Sequence, residues 1–265
     1  MKRLLLIKLG GSLITDKSRD YTARPEVIAR LAREIKSAQK SFDGDIILAH
    51  GSGSFAHTPA AKFKTKDGLT DRQSFTGLPI VADAAIQINR LVIQQFLNEK
   101  LPAVSFSPAS LFLTRSQKIS STHLDPVLHA LSLGFLPVLY GDIIFDLKQG
   151  FCIYSSEKTL SLLATKLAKN YSQINLLFCG DSDGVYDDHY QTLQTITPKS
   201  FARLKKFITG SAKTDVTGGM LHKVEESVAL AKKGIETLII DGQKPGELQR
   251  AILGQKHTGT LITAD

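Results

Sequence analysis

An α/β fold on a mainly parallel sheet, with helices on both faces, is what this 265-residue chain predicts. Three observations carry the expectation. Strand-like and helix-like segments alternate almost throughout. The strand candidates are short, continuously apolar runs, as strands covered on both faces should be. The helix candidates place apolar residues on one stripe, as at Val27, Ile28, Leu31 and Ile35.

Taken in order, residues 3–9 form the first strand. Lys2-Arg3-Leu4-Leu5-Leu6-Ile7 imitates a signal peptide, but Lys8 interrupts it and no small-residue cleavage site follows. The segment therefore reads as the first buried strand of a cytoplasmic protein. Pro25 opens a helix over residues 25–40. A strand at 45–49 precedes a Gly-rich turn, and the polar, Gly-punctuated stretch 63–77 reads as a loop. A helix at 78–100, a strand at 103–106, a helix at 124–133 and a strand at 136–140 follow. Residues 143–146 and 151–154 flank Lys148-Gln149-Gly150 and predict an antiparallel hairpin inserted among the sheet strands. The remainder alternates as helix 158–168, strand 174–179, helix 219–233, strand 237–240 and helix 245–253. With no low-complexity linker and no internal repeat, one domain with N- and C-terminal lobes is expected.

Composition bounds the function loosely. Hydrophobic residues make up 42% and charged residues 22%, ordinary for a globular chain, and no apolar run approaches bilayer length. Cys152 and Cys179 are too few and too far apart for a disulfide framework or a zinc knuckle. The net charge of +8 gathers at Lys62, Lys64 and Lys66 and between Lys199 and Lys213. Such charge suits solvated faces or the attraction of small polyanions. No aromatic-rich RNA-binding signature or Cys/His finger points to nucleic acid.

Three glycine motifs carry the chemistry. Lys8-Leu9-Gly10-Gly11-Ser12 ends the first strand; its glycines allow a sharp turn whose N–H groups form an anion nest, with Lys8 and Lys17 adding charge. A tight turn beside surface lysines has the same appearance. His50-Gly51-Ser52-Gly53-Ser54-Phe55-Ala56-His57 fits the dinucleotide fingerprint at Gly51, Gly53 and Ala56. The acid that fingerprint needs is misplaced, because Asp71 falls in a polar stretch rather than after a second strand. A metal held by His50 and His57 is disfavoured, since no Cys or carboxylate lies at ligand spacing. In Asp215-Val216-Thr217-Gly218-Gly219-Met220-Leu221-His222-Lys223, Thr217 caps a helix whose N-terminus attracts phosphate, with Lys223 about one turn in. A capped helix with a solvent-facing lysine is the plain alternative. Together the three motifs are more specific than any one, since strand ends of open α/β sheets share the ligand-binding edge. Gly180-Asp181-Ser182-Asp183-Gly184 is either a turn or an acidic element that orders lysines, touches a ribose or holds nucleotide-bound Mg²⁺ through water. It lacks EF-hand spacing.

The order of KLGGSLITDK (8–17), HGSGSFAH (50–57), LPVLYGD (136–142), GDSDGVYD (180–187) and DVTGGMLHK (215–223) resembles the amino acid kinase superfamily. Within it the chain resembles the isopentenyl phosphate kinases. The resemblance implies a three-layer α/β/α sandwich and a single domain over 1–265, with an acceptor-binding lobe to about residue 170 and an ATP-binding lobe from about 171. It also implies a homodimer, ATP and Mg²⁺ as cofactors, and an isoprenoid monophosphate as acceptor, with neither nucleic acid nor membrane as partner. By the same resemblance His57 hydrogen-bonds the acceptor phosphate, and Gly51, Ser52 and Ser156 add contacts. Lys8, Lys17 and Lys223 surround the transferring phosphoryl; Gly10, Gly11, Ser12 and Gly219 cradle the nucleotide phosphates; and Asp181 is the nucleotide-site aspartate. A histidine at position 57 is shared with fosfomycin kinases and is generally missing from acetylglutamate, uridylate and carbamate kinases.

The residues suit that chemistry. A phosphate monoester has a second pKa near 6, so its attacking oxygen needs no general base. What it needs is two anions held in line, which lysines, amide N–H groups and Mg²⁺ supply. The family pattern lines a tail pocket with the helix at 78–100 and with Ile143 and Ile153. Leu78, Val81 and Ala85 share one helical face, and its apolar, small character favours a short hydrocarbon over an amino acid or nucleoside. An ordinary core stripe would look alike. Two departures stand out. Ser52 and Ala56 replace glycines, and Ser52 would be strained if position 52 had positive φ. Ser155-Ser156-Glu157 replaces the usual Ser-Gly-Asp and resembles the fosfomycin kinase pattern, keeping a small-phosphonate kinase as the alternative. A non-catalytic nucleotide-binding protein on the same fold is opposed by retention of all three lysines.

Overall fold

The computed structural model describes residues 1–210 and 219–265. The chain runs through β1 (Arg3–Leu9), α1 (Gly11–Ile14), α2 (Pro25–Gln39), β2 (Gly44–His50), α3 (Gly53–Lys62), α4 (Arg72–Asn98), β3 (Ala103–Ser105), α5 (Pro108–Leu111), β4 (Phe112–Arg115), β5 (Lys118–Thr122) and α6 (Asp125–Ser132). It continues through β6 (Leu136–Tyr140), β7 (Asp142–Asp146), β8 (Gly150–Tyr154), α7 (Ser156–Leu167), β9 (Gln173–Gly180), β10 (Thr195–Ile196), α8 (Pro198–Gly210), α9 (Gly219–Ala231), β11 (Glu236–Asp241), α10 (Glu247–Ile252) and β12 (Gly259–Ile262).

Two compact units divide the chain. One comprises Met1–Lys8, Glu34–Asp45 and Leu160–Asp265. Its strands lie in the order β10-β12-β11-β9-β1. β11 pairs parallel with β9 from Glu236↔Asn175 to Asp241↔Gly180, whereas β12 is antiparallel to β11. The runs Leu4–Ile7 and Leu176–Cys179 are buried on both faces, as their unbroken apolar character requires. Helix α9 buries Val224, Val228, Leu230 and Ala231.

The other unit comprises Leu9–Arg33 and Ile46–Thr159. β2, β6 and β3 are parallel neighbours, with Leu48↔Val138 and Ala103↔Leu136 in register. The predicted hairpin forms as β7 and β8, Ile143 opposite Ile153, but it is not inserted among these strands. It belongs to a separate four-stranded sheet of order β5-β4-β7-β8. β4 and β5 were not foreseen, because half-polar residues and a Gly-free turn give them no apolar run.

The expected loop at 63–77 is also shorter than predicted. Asp71 caps α4 through a capping box with Ser74, so the helix starts at Arg72 despite Gly77 and Pro79. At 27 residues, α4 is long and apolar enough to cross a membrane by length and composition, against the expectation that no such run exists. It is amphipathic: Val81, Ala84, Ala85, Ile88, Val92 and Phe96 are buried while Arg72, Asp83, Gln87 and Arg90 face solvent.

Candidate active site

Two glycine turns of the second unit meet by close backbone approach. The chain leaves β1 at Leu9 and enters α1 through Gly10; it leaves β2 at His50 and enters α3 through Gly51-Ser52-Gly53. A Cβ at Gly11 would lie 2.5 Å from Gly53 N, and one at Gly51 would lie 2.8 Å from Gly11 N. Thr15 clamps the pair: its Oγ1 donates to Gly11 O at 2.7 Å and accepts from Ser54 N at 3.0 Å. Gly51 N donates to Leu9 O at 3.0 Å. Gly141 joins from the β6–β7 junction, its N–H on His50 O at 2.9 Å and its carbonyl accepting from Ser52 Oγ at 2.8 Å.

Among the described residues, the backbone N–H groups of Gly11, Ser12, Ser52 and Gly53 meet no protein acceptor. Adjoining unpaired amides at two helix starts make a concavity that suits an anion. Ser52 is unstrained there, at φ −86° and ψ −11°. The positive φ falls one residue later, at Gly53 (+49°), where a Cβ would sit 2.0 Å from Thr15 Oγ1. The condition for strain at Ser52, a positive φ, is therefore not met.

In the same unit, His57 is exposed on the second turn of α3, Lys17 is exposed beyond α1, and Ser156 opens α7. A Cβ on Gly141 would lie 3.4 Å from Ser156 N, which places the start of α7 beside the turns. The Ser156 hydroxyl is buried and donates to Glu157 Oε2 at 3.2 Å. Lys8, in the first unit, is buried at the end of β1.

The tail residues sort into a cluster. Val81, Ile143 and Phe151 are buried together, with Leu78, Ala56 and Ala60 packed on them. Ala85 continues the buried face of α4, and Ile153 stands half-exposed opposite Ile143. Helix α3 therefore carries His57 on one face and Ala56 and Ala60 against the apolar cluster on another. Sequence reasoning missed Phe151, although it lies two residues from Ile153 on the same sheet face, a period-2 signal. It also missed Thr15 and Gly141, whose contacts are set by tertiary approach.

The two histidines separate. His50 is fully buried: its Nδ1 lies 3.1 Å from Gly51 O, its Nε2 lies 3.1 Å from Asn89 Oδ1, and its ring stacks on Tyr140. Burial pushes its pKa down, against those two hydrogen bonds.

In the first unit, β9 ends in the acidic turn. Asp183 accepts from Tyr186 Oη at 2.7 Å, Thr192 Oγ1 at 3.1 Å and Lys244 Nζ at 3.5 Å. Burial raises its carboxyl, but those hydrogen bonds and the Lys244 charge outweigh it and hold the pKa below the usual range. The hydrogen bond to Asp183 in turn pushes Tyr186 up to about 12. Asp181 is exposed two residues earlier. Gly219 and Lys223 lie half-buried in the first turns of α9. Asp215, Val216, Thr217 and Gly218, including the expected cap, lie outside the described residues. Two cavities lie away from these groups. One, about 220 Å³, is lined by Arg3, Phe42 and Asn175; the other, about 420 Å³, by Phe112, His123 and Phe145.

Comparison with known proteins agrees with the α/β fold and with the family resemblance. Residues 3–241 match the model of the amino acid kinase family, and the chain belongs to that family. The isopentenyl phosphate kinase of Methanothermobacter thermautotrophicus is 30% identical over 278 residues, covering 98% of this chain and 99% of that protein. The isopentenyl phosphate kinase of Methanocaldococcus jannaschii is 29% identical, covering 98% of each. An X-ray structure of isopentenyl phosphate kinase superposes with a TM-score of 0.81 at 27% identity, over 98% of this chain and 100% of that one.

Proposed function

We propose that the protein transfers the γ-phosphoryl group of ATP to isopentenyl phosphate, giving isopentenyl diphosphate and ADP. The observation that carries this reading is the end-to-end similarity to isopentenyl phosphate kinases, at 30% and 29% identity. The joined glycine turns and the apolar cluster packed on α3 support it, since an anion cradle and a buried hydrocarbon cluster lie within one unit.

In the reaction, an oxygen of the acceptor phosphate attacks the γ-phosphorus. The new P–O bond forms as the bond to the bridging β-oxygen breaks, and ADP leaves with that electron pair. The acceptor oxygen is largely deprotonated at neutral pH, so the protein's task is to hold and neutralise charge. His57 would donate to the acceptor phosphate, with Gly51, Ser52 and Ser156 completing its contacts, and Leu78, Val81, Ala85, Ile143 and Ile153 would meet the tail. Lys8, Lys17 and Lys223 would compensate charge on the transferring group, while Gly10, Gly11, Ser12 and Gly219 would receive the nucleotide phosphates. Carboxylates are the hard oxygen ligands Mg²⁺ takes, commonly through water, and Asp181, the aspartate that the resemblance assigns to the nucleotide site, would hold it. When bound, the ion neutralises nucleotide phosphates. The family's homodimer is the assembly we assign.

The test is an acceptor screen scored by ADP release, with ³¹P NMR of the product. ADP formation dependent on isopentenyl phosphate is expected. No turnover with any isoprenoid monophosphate overturns the reading, and preference for fosfomycin in direct competition moves it to the phosphonate alternative.

A further inference from the structure

Behind the anion cradle lies a polar chain, buried at His50 and Asn89 and ending at exposed Ser105, that the proposed reaction does not use directly. His50 closes β2 with no exposed surface, and Asn89, on α4, is also buried. The imidazole lies 3.1 Å from the Gly51 carbonyl through Nδ1 and 3.1 Å from Asn89 Oδ1 through Nε2. Asn89 Nδ2 lies 2.6 Å from Ser105 Oγ. A carbonyl only accepts, so Nδ1 must carry a proton. Burial favours the neutral ring, leaving Nε2 as an acceptor. The chain is then satisfied when the Asn89 amide donates to Nε2 and accepts from the Ser105 hydroxyl, an exchange of the two amide ends over the same heavy-atom positions.

The Gly51 carbonyl is the first half of the peptide that leads into the cradle. In a trans peptide the C=O and the following N–H point in opposite directions. Holding the Gly51 oxygen on the buried ring therefore turns the Ser52 N–H away from the interior, as one of the unpaired amides of the cradle. We propose that His50 and Asn89 are positioning residues: the Nδ1–H of His50, fixed by Asn89, sets the Gly51–Ser52 peptide plane and with it the grip on the acceptor phosphate. This rests on the acceptor assignment above for its kinetic consequence, though not for its tautomer.

Two substitutions separate this role from simple packing, because each keeps one half of the ring's hydrogen bonding. The amide nitrogen of His50→Asn replaces Nδ1, while that of His50→Gln replaces Nε2. The expected result is an acceptor KM within about threefold of wild type for His50→Asn and raised about tenfold or more for His50→Gln. The KM for ATP should hold in both. Equal impairment of the two variants, or none in either, overturns the proposal. If wild type phosphorylates no isoprenoid monophosphate, the kinase reading fails separately, and long-range ¹H–¹⁵N NMR of the His50 ring still decides. A proton on Nδ1 supports the proposal; a proton on Nε2 alone overturns it.

Discussion

At the residue scale, Ser52 shows how a departure from a motif is absorbed. Where the family pattern has glycine, a serine looks like strain, yet its backbone is right-handed helical and the burden of positive φ rests on Gly53. Its hydroxyl ties the turn to Gly141 O at 2.8 Å. Restoring the family residue with Ser52→Gly should therefore destabilise, by about 1–2 kcal/mol from the lost hydrogen bond and the freer unfolded chain. Urea unfolding measures this, and a more stable variant would show that position 52 is strained after all.

At the element scale, the β7–β8 hairpin was legible and its partners were not. Ile143, Phe151 and Ile153 form apolar runs around Lys148-Gln149-Gly150, a turn signal that sequence alone can read. β4 and β5 turn instead through Ser116 and Gln117, both at positive φ without glycine. What permits that turn is Asp146, whose carboxylate accepts from Ser116 N at 3.0 Å and Gln117 N at 2.7 Å. The partner is some thirty residues away, so no local pattern reveals it. Asp142, at the start of β7, makes the hairpin pH-sensitive. Burial pushes its carboxyl up to about 6, despite hydrogen bonds from Ile143 N and Ser107. The unfolded chain ionises this group near pH 4 while the folded chain still holds the proton. The folded state thus binds more protons between about pH 4 and 6, and stability falls across that window as pH rises. Asp142→Asn removes this fall. Its stability relative to wild type should improve by about 2–3 kcal/mol from pH 4 to above pH 6, measured by denaturant unfolding at both ends.

At the scale of the whole molecule, the residues proposed for the two substrates fall in two units. His57, Ser52 and the apolar cluster belong to one, whereas Asp181, Gly219 and Lys223 belong to the other. The proposed roles follow that division only in part, since Gly10, Gly11 and Ser12, assigned to the nucleotide phosphates, lie in the unit of His57. His57 and Asp181 are assigned to different substrates, which makes those two roles separable by kinetics. His57→Ala should lower kcat/KM for the acceptor about 10- to 100-fold, a lost charge-assisted contact, and leave the KM for ATP nearly unchanged. Asp181→Asn should raise the apparent requirement for ATP and Mg²⁺ and spare the acceptor KM. Steady-state kinetics with each substrate varied in turn checks both, and mixed effects from either variant would reject the assignment. Glycine motifs at the ends of β1 and β2 made the two turns of the candidate cradle legible in sequence. The residues that fasten it, Thr15, Gly141 and Asn89, were hidden because each acts across tens of residues on a backbone atom or a buried ring.

The contact between Gly11 and Gly53 also limits what this protein can become. Every replacement of glycine by another residue adds a Cβ, and at these two positions that atom would meet backbone at 2.5 and 2.6 Å. Neither turn can drift while the other stays, so descendants exploring new acceptors must vary Ser52, the α4 face or the hairpin, and leave this pair as they inherited it.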